Sequence, residues 1–562
     1  MTDGRTASGT TTKPDPLPFE VSGPLPRGMT LLQASAGTGK TFTIAALTTR
    51  YVAEAGLPID RLLVITFTRM ATGELRERVR DRLVSAHDGL VDILAGTASH
   101  EDDEIVRLLA DTTRDEVEVR RDRLGKAIAD FDAATIETTH GFCLQVLYGL
   151  GTAGDVDREV ELVEDVRDLR EEVVDDLYLR RFAASPNPLG FTRAQALEIA
   201  KQVLDHPDAE VVPPSSDAAD TPSIRRRFAD AARKEMDRRK RNLKILTYDD
   251  ILLRLRHTLL HPQRGRAACA RLRERYDVVL VDEFQDTDPV QWDIMHRAFG
   301  QGGATLVLIG DPKQAIYAFR GADVHAYLDA REVVQSEWTL DENWRSDAGL
   351  LRAYDALFAD AQLGSAGITY RSISAAPPNR APRLDGDAVG APLRVRVVHA
   401  GGGLVELTKA KAQPQAGDAR NFIARDLATE VVKLLEARPE VVTRGRDGAE
   451  LARTTLHPGH IAVLVRVNSH ALIVRDALHR VGVPAVIGGS GSVFGTSPAL
   501  EWLRLLEALE RPTARDRAAL AALTCFIGWT ADEVAGAGED EWEDLHWDLH
   551  RWAAVLRHPS HG

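Results

Sequence analysis

The chain has 562 residues, too many for one hydrophobic core, so three or four domains are expected. Apolar residues make up 44% and charged residues 27%, which argues against a largely disordered chain. No apolar run approaches the ~20 residues of a membrane-spanning helix, and the formal net charge of −14 argues against indiscriminate coating of nucleic acid while leaving room for a local basic groove.

Residues 1–18 are polar and Pro-containing, without the apolar core of a signal peptide, and read as a disordered leader. Three scattered cysteines, Cys143, Cys269 and Cys525, have neither metal-binding nor disulfide-framework spacing, which points to a reducing cytoplasm.

The first strong element is the apolar segment Met29–Gln33, followed by Ala34-Ser35-Ala36-Gly37-Thr38-Gly39-Lys40-Thr41 and a helix-like segment from Phe42 to Val52. Strand, Gly-rich turn, Lys-Thr and helix is the P-loop order, with Ala34 where the first Gly usually stands. Small residues let backbone N–H groups curl around a triphosphate, and a helix N-terminus adds positive potential. Lys40 would reach the β- and γ-phosphates of ATP, and Thr41 would hold Mg²⁺.

Further strands are expected at Leu62–Thr66, Thr135–Thr138, Asp277–Val281, Thr305–Ile309 and Trp338–Leu340, alternating with helices as in a parallel α/β core. Residues 151–244 break that rhythm with acidic then basic helices around a Pro-rich linker, and read as a helical insertion. Within it, Arg225 to Arg241 is the most basic stretch; it reads equally as a nucleic-acid patch and as a solvated helix face. After the core, Leu393–Val398, Ile461–Val465 and Ala485–Ile487 look like strands of a second α/β core, with a helix at Ser469–Val481. From Ala499 the pattern is helical.

Asp277–Val281 runs into Asp282-Glu283-Phe284-Gln285-Asp286. A carboxylate at a strand end can meet Mg²⁺, and its neighbour can polarise an attacking water, so Asp282 and Glu283 take those roles. Gln314, just beyond the Leu308–Ile309 strand end, can sense a γ-phosphate through its amide. Tyr317, Phe319 and Arg320 follow; they suit stacking on bases and contact with a nucleic-acid backbone, although Tyr317 and Phe319 read as core aromatics on pattern alone.

These segments in this order resemble superfamily 1 DNA helicases of the UvrD type. They are ASAGTGKTFTIAAL (34–47), TFTRMATGELRERV (66–79), TTHGFC (138–143), TYDDIL (247–252), DEFQDTDPVQW (282–292), LIGDPKQAIYAFRGAD (308–323) and LDENWRS (340–346). The P-loop variant, Thr-His-Gly-Phe-Cys and the Ser492-Val493-Phe494 segment bring the chain closer to the RecB family, with AddA-type nuclease-helicases as the neighbouring alternative.

The resemblance implies a RecA-like P-loop core (19–150 and 245–345) with the 151–244 insertion, an incomplete second RecA-like core (346–498) and the start of a helical accessory domain (499–562). It implies that Glu283, Gln314 and Arg345 serve catalysis, Trp344 faces adenine, and Thr66, Phe67, Thr68, His140, Tyr317, Phe319 and Arg320 meet DNA. Trp344 as a packing residue and His140 as a structural histidine remain open. The implied activity is ATP-dependent 3′–5′ translocation on single-stranded DNA from duplex ends, with RecC- and RecD-like partners. Two later motifs of such helicases, a Thr-x-His-x-x-Lys-Gly segment and a Thr-Arg-Ala segment, do not occur after Phe494, nor do nuclease motifs. The chain therefore reads as the N-terminal portion of such an enzyme, or, as a reading of another class, as a non-catalytic DNA-binding or assembly subunit.

Overall fold

The computed structural model describes residues 16–97, 103–151, 160–163, 165–183, 191–207, 209–218, 220–318, 322–359, 361–365, 367–386, 390–398, 415–488 and 492–557. The chain divides into two compact units: Met1–Arg383 with Thr443–Ala452, and Leu384–Val442 with Arg453–Gly562.

The first unit is built on strands β1 (Leu17–Pro18), β2 (Met29–Ala34), β3 (Leu62–Thr66), β4 (Thr135–Thr138), β5 (Glu161–Leu162), β6 (Ile245–Leu246), β7 (Val278–Val281), β8 (Thr305–Gly310) and β9 (Ser336–Leu340). Seven of them form one sheet in the order β1-β9-β2-β8-β7-β3-β4, and every pair in it is parallel. The six core strands expected from sequence all form, Leu62–Thr66 and Thr135–Thr138 with the expected bounds and the others within one or two residues of them. Of the expected 1–18 leader, residues 1–15 lie outside the described residues, and Leu17–Pro18 pair with Trp338–Thr339 and extend the sheet, an edge position that tolerates a proline without a backbone N–H.

Unbroken apolar runs suit strands covered on both faces. Alternation then sorts the side chains. Leu32, Val64, Leu280, Val307 and Ile309 enter one core; Leu31, Leu63, Ile65, Val279, Val281, Leu306 and Leu308 enter the other. Helices α1 (Lys40–Ala53), α2 (Arg69–Ala95), α3 (Glu104–Ala110) and α4 (Arg114–Ala129) cover the first face. The second is covered by α5 (Thr139–Leu150) and, further along the chain, by helices Tyr248–Leu260, Gly265–Arg275 and Pro289–Phe299.

Helices α6 (Arg167–Ala183), α7 (Arg193–Asp205) and α8 (Thr221–Leu243) hold a small apolar cluster of their own, including Val174, Phe191, Ala200 and Phe228. The basic stretch lies on α8, and much of its charge is neutralised locally. Arg226 pairs with Asp230, Arg238 and Arg239 with Glu235, and Lys240 with Asp250, while Arg233 donates to the carbonyls of Val203 and His206. That pattern favours a pinned helix face over a phosphate-binding patch.

In the second unit, helices Ala416–Glu436 and Asn468–Arg480 pack through Ala424, Ala428, Ala477 and Leu478. A separate cluster joins Leu505, Ala508, Trp542 and Leu549. Here the strand expectations fail. Among the described residues, Leu393–Val398, Ile461–Val465 and Ala485–Ile487 form no strand and join no ladder.

Among the described residues, no helix is long and apolar enough to cross a membrane.

Candidate nucleotide site and nucleic-acid interface

A parallel sheet sends every loop that follows a strand to the same edge, the usual ligand edge of an α/β fold. The P-loop follows β2, Asp282–Asp286 follow β7, Gln314 follows β8, and Asn343–Ser346 follow β9. Phe67–Thr68 follow β3, and His140 follows β4.

Ala34 closes β2 in extended backbone paired with Leu340, so no glycine is needed there. The turn needs glycine further on: Gly37 has φ +80° and Gly39, the N-cap of α1, has φ +86°. Ser35 O accepts bonds from the Thr38 N–H and hydroxyl at 3.2 and 2.8 Å, which closes the loop on itself. Asn343 Nδ2 donates to Ala36 O (2.8 Å), and the Trp344 N–H donates to Gly37 O (2.7 Å). A Cβ at Gly37 would lie 2.6 Å from Arg345 Cβ. Residues over three hundred positions apart thus press Trp344 and Arg345 against the P-loop. The Asn343 carboxamide oxygen also accepts from the Arg345 and Ser346 N–H groups, at 2.8 and 2.7 Å.

Lys40 Nζ donates to Glu283 Oε2 at 2.6 Å. Glu283 has φ +50°, a left-handed conformation costly for a residue with a side chain and typical of functional turns. Asp282 is desolvated and sits beside Glu283; burial first, then that neighbouring charge, push its carboxyl up to about 6. Asp286 is pushed to about 6 in the same way, by burial and then Glu283. Two desolvated carboxyls next to a third make a site that favours a cation. Thr41 stands in the first turn of α1.

A residue not singled out from sequence links this site to the next strand. Gln285 Nε2 donates to Glu283 Oε2 at 2.6 Å, and its Oε1 accepts from the Asp311 N–H at 2.9 Å. Gln314 Nε2 in turn donates to Asp311 Oδ2 at 2.8 Å. Glu283, Gln285, Asp311 and Gln314 form one hydrogen-bonded chain. The place of Gln285 in the Asp282–Asp286 run, two residues after Glu283 and next to Asp286, was the only sequence signal for it.

The expected nucleic-acid residues divide. Phe67 and Tyr317 come together, ring centroids 5.3 Å apart and both half-buried, on the ligand edge. His140 meets Tyr248 edge-on at 5.1 Å, and Arg69 donates to the Tyr248 hydroxyl at 3.2 Å. Arg69 and Tyr248 lie in the motif segments but were not singled out. Burial lowers the pKa of His140, although the Asp249 charge pulls the other way. Thr68 is exposed, but its hydroxyl caps α2 by accepting from the Ala71 N–H. Thr66 is 1% exposed at the end of β3. Phe319 and Arg320 lie outside the described residues.

Residues 21–335 match the family described as the UvrD/REP helicase N-terminal domain. The chain is 41% identical over 544 residues to the RecBCD enzyme subunit RecB of Mycobacterium tuberculosis, which covers 96% of this chain and 47% of that protein. To RecB of Mycolicibacterium smegmatis it is 40% identical, covering 96% and 47%; to RecB of Escherichia coli K12, 27% identical, covering 94% and 53%. The chain thus spans about half the length of the curated relatives it matches. A family match over five of the seven strands of the parallel sheet, with relatives aligned along nearly all of the chain's length, settles its membership: the chain belongs to the UvrD/REP helicase family and is a RecB-like member of it.

Proposed function

We propose that this chain carries the ATP-binding half of a 3′–5′ DNA translocase that works from duplex DNA ends in recombinational repair. In this reading it acts in the cytoplasm with RecC- and RecD-like subunits, as the names of its relatives suggest. The observation that carries the reading is the Lys40–Glu283 pair at 2.6 Å, flanked by desolvated Asp282 on one side and by Trp344 and Arg345 on the other.

A triphosphate competes with Glu283 for the Lys40 ammonium. When Lys40 turns to the phosphates, Glu283 is released to orient a water and take its proton as the terminal phosphoryl group departs. Thr41 and Asp282 would hold Mg²⁺, which would supply charge neutralisation on the phosphate oxygens. The arginine of Asn343-Trp344-Arg345 is exposed beside the P-loop, where a cation steadies charge spreading over the transferring group. Gln314 reports the occupied site to the aromatic face through the Gln285–Asp311 chain. Phe67, Tyr317 and Tyr248 offer stacking surfaces that do not read sequence, so DNA contact is sequence-tolerant and weakens with salt.

The test is ATP titration by calorimetry with Mg²⁺ present. Lys40→Ala should weaken binding by about 10- to 100-fold, the worth of charge-assisted bonds to phosphate. Equal affinity for the two proteins would sink the nucleotide reading.

A further inference from the structure

The segment Thr443–Ala452 belongs to the first unit, although sequence places it far from every motif. It is a tight hairpin tip. The Gly448 N–H donates to Gly445 O at 2.9 Å, and the Gly445 N–H to Ala449 O at 2.8 Å. Gly448 has φ +88°, a conformation suited to glycine in this type of turn. Asp447 Oδ1 accepts from the Ala449 N–H at 2.9 Å. The tip is anchored by Arg444, which donates to the carbonyls of Pro378, Ala381 and Pro382 at 3.4, 3.1 and 2.9 Å. A Cβ on Gly448 would lie 3.2 Å from Pro377 O, so the tip sits flush on that loop.

None of this needs the side chain of Arg446. That guanidinium lies 5.1 Å from the ring centroid of Phe42 and 5.9 Å from that of Trp344. Phe42 directly follows Thr41 in α1, and Trp344 is tied by its N–H to Gly37 O. Both rings are therefore fixed to the triphosphate-binding loop. Trp344 is 41% exposed, an open face for so large a ring. Arg446 is exposed too, and among the described residues no carboxylate or hydrogen-bond partner holds it. An ordinary surface arginine pairs with an acid or rests on one ring. This one bridges two rings from distant segments at the mouth of a P-loop.

We infer that Arg446 is a base-contacting residue of the nucleotide site: its guanidinium, steadied by Phe42 and Trp344, offers a flat cationic face to the purine whose phosphates Lys40 takes. The inference rests on the nucleotide reading above. Guanidinium planes stack on π-systems, which an ammonium cannot do with the same fit. Stacking does not read exocyclic groups, so the contact serves purine nucleotides generally, ATP and GTP alike.

The experiment uses the 562-residue chain, Mg²⁺ and two probes, ATP and inorganic tripolyphosphate. Arg446→Ala should weaken ATP binding about five- to tenfold and leave tripolyphosphate binding within about twofold. Arg446→Lys should fall between, because it keeps the charge and loses the plane. Several results would overturn the inference alone: unchanged ATP affinity in Arg446→Ala, an equal loss for both probes, or wild-type protein that binds the two probes equally. Tighter ATP binding in Arg446→Ala would also overturn it, by showing that the guanidinium blocks the base. Wild-type protein that binds neither probe would overturn the nucleotide reading itself, and this inference with it.

Discussion

Leu62–Thr66 reads Leu-Leu-Val-Ile-Thr, and Ile461–Val465 reads Ile-Ala-Val-Leu-Val. As sequences they are near-equivalents; as structures they are opposites. The first pairs with Thr135–Thr138 on one side and Val278–Val281 on the other, and Val64 is 0% exposed. The second joins no ladder, with Leu464 97% exposed. Val486, in another strand-like segment of the second unit, is 96% exposed. An apolar, β-branched run selects extended backbone, but its burial is decided by strands elsewhere in the chain. The first unit supplies them within the described residues; the second does not.

The largest effect should come from supplying more chain. In a protein extended to the length of its relatives, the amides of Val463–Val465 should move from near-unprotected hydrogen exchange to strong protection, whereas those of Leu63–Ile65 are already protected. Slow exchange at Val463–Val465 in the 562-residue chain would break the comparison outright.

A smaller effect separates the two regions by mutation. Leu280, in the central strand Val278–Val281, is 0% exposed between two layers of helices. Leu280→Ala should cost about 2–5 kcal/mol through lost burial and the cavity left behind. Leu464→Ala should change stability by no more than ~0.5 kcal/mol. Equal costs in denaturant melts would mean that Leu464 is packed in solution.

What was legible in the sequence follows the same division. The P-loop turn, the Asp282–Glu283 strand end and six of the seven strands of the first sheet are local patterns, and each formed where expected. Gly37 and Gly39 take the left-handed angles the loop demands, and Ala34 sits where no such angle is needed. Thr66 was read as a DNA contact because it belongs to a motif; it ends a strand covered on both faces and is buried. Tyr248 and Arg446 were not singled out, because their roles depend on what they meet: His140 lies more than a hundred residues from Tyr248, and Phe42 about four hundred from Arg446. Gln285 was visible as a letter in a motif, but its bond to Asp311 depends on two adjacent strands ending together. No periodicity encodes such meetings.

The smallest effect is electrostatic, and it contrasts a buried carboxyl of the first unit with an exposed one of the second. Burial, then the charge of Glu283, hold Asp282 at about 6, above its unfolded value of roughly 3.9. The folded protein therefore binds this proton more tightly than the unfolded chain. Stability drains away as pH rises from about 4 to about 6, and the full penalty persists above that. Asp282→Asn stays neutral and keeps an oxygen for the Glu283 N–H. Without Mg²⁺ or nucleotide, its advantage over wild type should be near zero at pH 4 and on the order of 1–3 kcal/mol at pH 7. Glu510 has the opposite sign: its hydrogen bond from Arg517 lowers its pKa. The pair stabilises above the ordinary glutamate range and fades as pH falls through the lowered value. Because solvent and salt screen that exposed pair, Glu510→Gln should lose only slightly at pH 7 and nothing at low pH. Melts of both variants across pH 4–8 decide the matter. An Asp282→Asn advantage that stays constant with pH would show that its carboxyl is not desolvated, and that the end of this buried strand is as open to water as the second unit's surface.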